Sequence, residues 1–143
     1  MNKTGTNFAP KGIFEDCHSM NHQTLMGVAE AIQDYTKKGF ISFIPLPDAQ
    51  CDVDFIAYHP KNGELIKVQC KTTCCQVTTK GKATGKYAVG LKDGHYKKNG
   101  AINLAPVKVP RDYDELFALS ASGHTRIWTK QDLEGYKHSV HMK

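Results

Sequence analysis

The stretch from Cys51 to Thr73 constrains the fold of this 143-residue chain most strongly, because it has the pattern of two strands joined by a tight turn. Its centre, Pro60-Lys-Asn-Gly63, is a turn sequence in which Asn-Gly supplies the left-handed conformations of a chain reversal. If His59 faces Glu64 across a four-residue loop, the numbers of directly opposed residues sum to 123. This register predicts one entirely apolar face, made of the opposed pairs Ala57–Ile66, Phe55–Val68 and Val53–Cys70.

The other face of the predicted hairpin is apolar near the turn and polar at the far end, where Asp54 opposes Gln69 and Asp52 opposes Lys71. As structural contacts, such pairs contribute about 1 kcal/mol or less each. The same group also suits a hard cation, since Mg²⁺ prefers oxygen ligands. In that interpretation Asp54, the Gln69 side-chain oxygen and the Cys70 carbonyl hold Mg²⁺. Lys71 then stabilises the negative charge that develops during hydrolysis of a phosphodiester.

The elements around the hairpin predict a mixed α/β (α+β) domain. Residues 1–20 lack apolar periodicity and are predicted to form an arm, and residues 21–143 are predicted to form one domain. A helix is expected from His22 to Lys38, with Gly39 as its cap and the inward stripe Leu25, Val28, Ala29, Ile32 and Tyr35.

Short strands are predicted on both sides of the hairpin. Phe40–Ile44 has the pattern of an edge strand, and the stretches KYAVGLK, LFALS and TRIWT have the pattern of later strands. The stretch DGHYKKNG between them is predicted to be a loop. Thr129 and Asp132 resemble a helix start, so KQDLEGY is predicted to be a short terminal helix.

Composition argues for an intracellular protein. No run of 18 or more apolar residues occurs, and the N-terminal stretch lacks the apolar core of a signal peptide. The five cysteines are an odd number, so reduced thiols and a cytoplasmic location are expected. A zinc site at Cys70, Cys74 and Cys75 is disfavoured because their spacing lacks the usual Cys-x₂-Cys pair.

The positive charge is concentrated in one segment. The net charge is +5, and residues 71–100 alone hold seven lysines and one aspartate. Such a block favours a polyanionic partner, because phosphate contacts release counterions, although a solvated loop and an RNA partner stay open. We predict contacts with double-stranded DNA from Lys80, Lys82, Lys86, Lys92, His95, Lys97 and Lys98, with Asn99 as a further base reader.

Asp54 followed by Gln69-Cys70-Lys71 on the next strand resembles the signature of the PD-(D/E)XK nuclease superfamily in a Gln-x-Lys variant. Residues 24–92 are similar to the group I intron-associated homing endonucleases of that superfamily. The resemblance implies a restriction-endonuclease-like central mixed sheet flanked by helices and a Mg²⁺-dependent, sequence-specific DNA endonuclease. It makes Asp54 the metal-binding aspartate, Gln69 the counterpart of a glutamate, and Lys71 the catalytic lysine. Because such small nucleases cut both strands by pairing subunits, a homodimer or tetramer is expected.

Two positions depart from the family pattern. Gln69 replaces a glutamate and removes a negative charge from the metal site. Counting back from Gly39 to the position where many members carry a glutamate leads to Val28, whereas the nearby Glu30 falls outside the apolar stripe. These departures leave open an inactive DNA-binding protein of the same fold. A junction resolvase or a restriction-type nuclease is a further alternative.

Overall fold

The computed structural model describes residues 12–17, 19–46, 51–75, 78–91, 94–96, 102–104, 112–136 and 139–142. A 3₁₀ turn at Gly12–Phe14 precedes the helix α1 (Met20–Lys37) and the strands β1 (Ile41–Phe43), β2 (Phe55–Tyr58) and β3 (Leu65–Thr73). The later strands are β4 (Tyr87–Gly90), β5 (Gly94–Tyr96), β6 (Ile102–Leu104), β7 (Glu115–Ser120), β8 (Thr125–Thr129) and β9 (Ser139–Met142). Five strands form one mixed sheet in the order β1-β2-β3-β7-β8, in which β3 and β7 pair parallel and the other neighbouring strands pair antiparallel.

The hairpin of β2 and β3 has the predicted register, from Phe55 opposite Val68 to Tyr58 opposite Leu65. His59 N–H donates to the Glu64 carbonyl, and Gly63 has φ +73° at the turn. The apolar face of the paired residues is also confirmed, since Phe55, Ala57 and Val68 are buried in the cluster that contains residues of α1. Local turn chemistry and alternation were therefore sufficient to define this unit.

Two apolar clusters cover the two faces of the sheet. The first face, defined as the side that carries Val68 and Cys70, packs against α1 and the 3₁₀ turn. The second face carries Leu116 and Ala118 and packs against the separate β4–β9 pair. Phe14 is fully buried in the first cluster, so part of the segment predicted to be an arm contributes to the core.

Helix α1 forms as predicted, with Ser19 at its N-cap and Gly39 at φ +94° after its end. Its inward stripe is rotated from the predicted one, because Leu25 is 65% exposed whereas Gln23, Ala31 and Tyr35 are buried. Two contacts explain the rotation. The Gln23 amide donates to Thr72 Oγ1 at 3.1 Å. The missing side chain of Gly27 lets the helix approach the same residue, since a Cβ there would lie 2.7 Å from Thr72 Cγ2.

Two other predicted elements are wrong. The stretch KQDLEGY forms turns rather than a helix: Thr129 and Asp132 make the reciprocal bonds of a helix start, but Gly135 at φ +85° ends the segment after about one turn. The predicted loop DGHYKKNG contains β5, which pairs antiparallel with β6. The β5–β6 pairing depends on a contact with another segment, which the local sequence does not show, whereas Gly135 lies within the predicted helix itself.

Candidate active site

The candidate site lies where β2 leaves the central strand β3. The backbone hydrogen-bonding groups of successive β3 residues point to opposite sides of the strand. The Val68 carbonyl accepts the Asp54 N–H at 2.8 Å on one side, and the Lys67 carbonyl accepts the Asp114 N–H on the other. By this alternation the N–H and C=O of Cys70 point toward β2. The ladder ends at Phe55, so this part of β3 has no paired strand on that side.

The predicted pairs beyond Phe55 are therefore wrong as ladder pairs. Val53 was expected to face Cys70 on the first face, but it packs against the second cluster. The reason is the Asp54 carboxylate, whose Oδ2 accepts the Cys70 N–H at 2.6 Å. That bond replaces the one a continuing strand would make, and the chain changes course there. Asp54 consequently contacts the backbone of Cys70 rather than forming the predicted cross-strand pair with Gln69.

Asp54 is a partly buried carboxylate next to a cation. Burial raises its pKa above the ordinary value of an aspartate, and the Cys70 N–H and the Lys71 ammonium act in the opposite direction. The nearby Asp52, which is half-buried, raises the pKa further by repulsion between like charges. A positive charge placed beside this carboxylate would stabilise its ionised form.

Gln69 contributes the clearest sign of a missing partner. Its Oε1 is buried, and no donor among the described residues lies within hydrogen-bonding distance of it. Its Nε2 lies 3.4 Å from the Cys70 carbonyl oxygen, so a half-turn of the amide would bring Oε1 to that position. Two neutral oxygens would then stand together on the side of β3 that carries the Asp54 carboxylate.

These atoms fit a hard cation rather than a transition metal. One carboxylate, one amide oxygen and one backbone carbonyl are the kind of incomplete oxygen set that Mg²⁺ accepts together with waters and a phosphate. In the described part of the chain, no group of three His, Cys, Asp or Glu residues is placed to hold a metal. The Cys70 thiol packs in the first cluster, and burial raises its pKa far above the ordinary value, which disfavours a thiolate ligand.

Lys71 lies on the second face of the sheet, opposite Ala118 of β7, and is half-buried. Its positive charge lowers the pKa of Asp54, which places the two groups in one electrostatic environment. Glu30 of α1 is exposed, as its position outside the predicted stripe indicated, and Val28 packs on the first cluster. The structure thus brings together Asp54, Gln69, the Cys70 carbonyl and Lys71, without a carboxylate from the helix.

Gln23 is a residue that the sequence analysis missed. It is 3% exposed and bonds to Thr72, the residue after Lys71. A glutamine at this point carries no apolar signal, so periodicity could not assign it to the inward stripe of α1. Its contact fixes the helix against the end of β3 that bears the candidate site.

The predicted DNA-binding residues occupy two kinds of position. Lys80, Lys82 and Lys86 are exposed in the segment before β4, where Gly81 and Gly85 adopt positive φ. His95 lies in the β5–β6 ribbon, paired with Asn103. The remaining predicted contacts lie outside the described residues: Lys92, Lys97, Lys98 and Asn99.

Comparisons with known proteins identify a solved structure of similar fold. No protein-family model matches the chain, and no curated protein matches it. Among solved structures, the chain is similar to the bacterial homing endonuclease I-Ssp6803I, with a TM-score of 0.71 and 21% sequence identity. The match covers 87% of this chain and 78% of that protein. The expected fold class, a nuclease-like α/β fold with a central mixed sheet, is thereby confirmed. No helix in the described segments is long and apolar enough to span a membrane.

Proposed function

We propose that this chain is a Mg²⁺-dependent, sequence-specific DNA endonuclease of the homing-endonuclease type, with the Gln-x-Lys variant of the PD-(D/E)XK site. The observation that carries the proposal is the group at the point where β2 leaves β3. There the Asp54 carboxylate is anchored on the Cys70 N–H beside Lys71, and the buried Gln69 Oε1 has no donor among the described residues. The similarity in fold to a bacterial homing endonuclease supports it.

Each residue has a separate role in this proposal. Asp54, Gln69 Oε1 and the Cys70 carbonyl oxygen would hold the cation. When bound, Mg²⁺ supplies a Lewis acid that polarises the phosphodiester and favours ionisation of water. The Lys71 ammonium stabilises the negative charge that builds up on the phosphate oxygens. The N–H of Cys70 keeps the Asp54 carboxylate oriented toward this position, and the restricted exposure of Gln69 limits competing water.

Double-stranded DNA is the proposed substrate. The proposed location of the protein is the cytoplasm. Lys80, Lys82 and Lys86 are exposed and would contact phosphates, which fixes position without reading sequence. The β5–β6 ribbon is of the kind that enters a major groove, and His95 lies on it. The described residues of one copy form one candidate site, so cleavage of both strands calls for a homodimer or tetramer.

The direct test is cleavage of plasmid libraries by purified protein with and without Mg²⁺. We expect Mg²⁺-dependent cutting that Lys71→Ala reduces by about a hundredfold or more, since loss of one charge-stabilising group costs about 3 kcal/mol in the transition state. Lys67→Ala is the matched control, because Lys67 is on the same face of β3 at the turn end. Unchanged cutting by Lys71→Ala, or equal losses in both variants, would defeat the assignment.

A DNA-binding protein without chemistry is the second candidate, and two observations favour it. Gln69 is neutral where a carboxylate would bind the cation more strongly, and Glu30 is exposed instead of reaching the site. This candidate predicts a salt-sensitive gel shift that is indifferent to Mg²⁺, with no nicking of any substrate. Substrate panels that compare four-way junctions with linear duplexes would separate a homing-type nuclease from a resolvase or a restriction-type enzyme.

A further inference from the structure

Exposed apolar side chains gather at one edge of the central sheet. Five of the eight exposed large apolar residues in the described segments lie on β1, directly after it, or at the start of β3. We call this set the apolar edge surface, and its members are Ile41, Phe43, Ile44, Leu46 and Leu65.

The strand register places three members of this surface, Ile41, Phe43 and Leu65, on one face of the sheet. Ile41 is opposite Tyr58, which in turn is opposite Leu65, so the three side chains form one row across β1, β2 and β3. Phe43 is opposite Ile56 and forms a second row on the same face. Directly opposed residues share a face of the sheet, and here that is the second face.

Such a surface is unusual at the edge of a sheet. Edge strands normally carry charges or stay short, which prevents unwanted association. Strand β1 is short, but its sequence Ile-Ser-Phe is uncharged and the apolar residues Ile44 and Leu46 follow it. With about 200 Å² for a large side chain, the exposed fractions leave roughly 600 Å² of apolar surface, at the upper end for a monomer.

We propose that the apolar edge surface is the interface between two copies of this chain, related by a two-fold axis. This proposal deepens the proposed nuclease function, which needs two sites for two strands. The roughly 600 Å² is close to the 800 Å² that each partner buries in a standard stable complex. The five members are uncharged, although the exposed Lys67 borders them opposite Ile56, and an apolar surface is complementary to itself and suits an isologous contact.

The apolar edge surface lies away from the candidate site. Leu65 begins β3 and Lys71 lies six residues further along the strand. At about 3.3 Å per residue the two are separated by roughly 20 Å. Pairing through the apolar edge surface therefore places the contact roughly 20 Å from Lys71 in each copy.

The test compares two substitutions that are chemically identical. Leu65 is 63% exposed within the surface, and Leu25 is 65% exposed on α1, outside it. Sedimentation equilibrium without DNA or Mg²⁺ should give wild-type protein a mass of at least twice 15.9 kDa. Leu65→Lys should raise the dissociation constant about a hundredfold, because the change occurs twice in a two-fold contact. Leu25→Lys should leave it unchanged, and Phe43→Lys should repeat the effect of Leu65→Lys.

Circular dichroism and thermal melting of each variant show whether the monomer is still folded. Monomeric wild-type protein at about 100 µM would overturn the proposal, since no dimer with a micromolar Kd would escape detection there. A monomer that binds a hydrophobic dye at this surface would assign the surface to a different partner and would overturn the proposal as well. Equal weakening by Leu65→Lys and Leu25→Lys would also overturn it. Because the measurement uses neither DNA nor metal, a folded dimer without nuclease activity would refute the proposed function alone.

Discussion

Replacing Asp54 tests whether this carboxylate is held for function at the expense of stability. The Cys70 N–H that it accepts belongs to a residue that is 4% exposed, so removal of the acceptor leaves a buried donor unpaired. We expect Asp54→Ala to lower the free energy of unfolding by about 1–3 kcal/mol. Asp54→Asn keeps an oxygen that can accept the same bond, and it should lie within about 0.5 kcal/mol of wild type or above it.

The pH dependence of Asp54→Asn has a defined sign. Burial raises the pKa of Asp54 above 3.8, so ionisation costs the folded state free energy. This cost is absent below the ordinary pKa of an aspartate and grows as the pH rises through the raised value. The stability of Asp54→Asn relative to wild type should therefore improve from about pH 3.5 to pH 7. Both variants should lose Mg²⁺-dependent cleavage.

Urea unfolding followed by circular dichroism, with EDTA or with Mg²⁺, measures both effects. If Mg²⁺ binds at Asp54 with a Kd of about 1 mM, roughly 10 mM should stabilise wild type by about 1.4 kcal/mol and leave Asp54→Asn unchanged. Equal stabilisation of both proteins would place the cation elsewhere. A less stable Asp54→Asn than Asp54→Ala would refute the assigned hydrogen bond.

Three further perturbations follow from other contacts. Gly27→Ala should lower the free energy of unfolding by about 1–3 kcal/mol despite the better helix propensity of alanine, because the new Cβ would lie 2.7 Å from Thr72 Cγ2. Urea unfolding that shows a more stable variant would refute this packing. In wild type, the Tyr35 hydroxyl donates to Glu115 Oε2 and lowers the pKa of that carboxyl, although burial raises it by more. Tyr35→Phe removes this donor, so the Glu115 pKa should rise. Stability should fall by about 1 kcal/mol at pH 7 and by less near pH 4, and a loss that is the same at both pH values would argue against an ionised Glu115. For Lys82→Ala, the slope of log K against log salt in DNA binding should decrease by about 0.9, and an unchanged slope would remove Lys82 from the interface.

The sequence alone determined the units whose signals are local. Asn-Gly at a turn and strict alternation on both sides specify the register of β2 and β3, and both act within a few residues. The position of Gly39 likewise marks the end of α1. The residue types at Asp54, Gln69 and Lys71 predicted an oxygen-rich site beside an ammonium, and in the structure Asp54 and Gln69 both contact the backbone of Cys70, the residue before Lys71.

Tertiary structure decided the features that depend on segments far apart in the chain. The parallel pairing of β3 with β7, the rotation of α1 toward Thr72 and the termination of β2 at Phe55 all follow from contacts with residues about 15 or more positions away. Asp54 was expected to face Gln69 by simple alternation, but its carboxylate binds the Cys70 N–H because that buried donor needs an acceptor. Periodicity reports which face a residue prefers. Which buried polar group a side chain must satisfy is settled only when the strands and the helix come together.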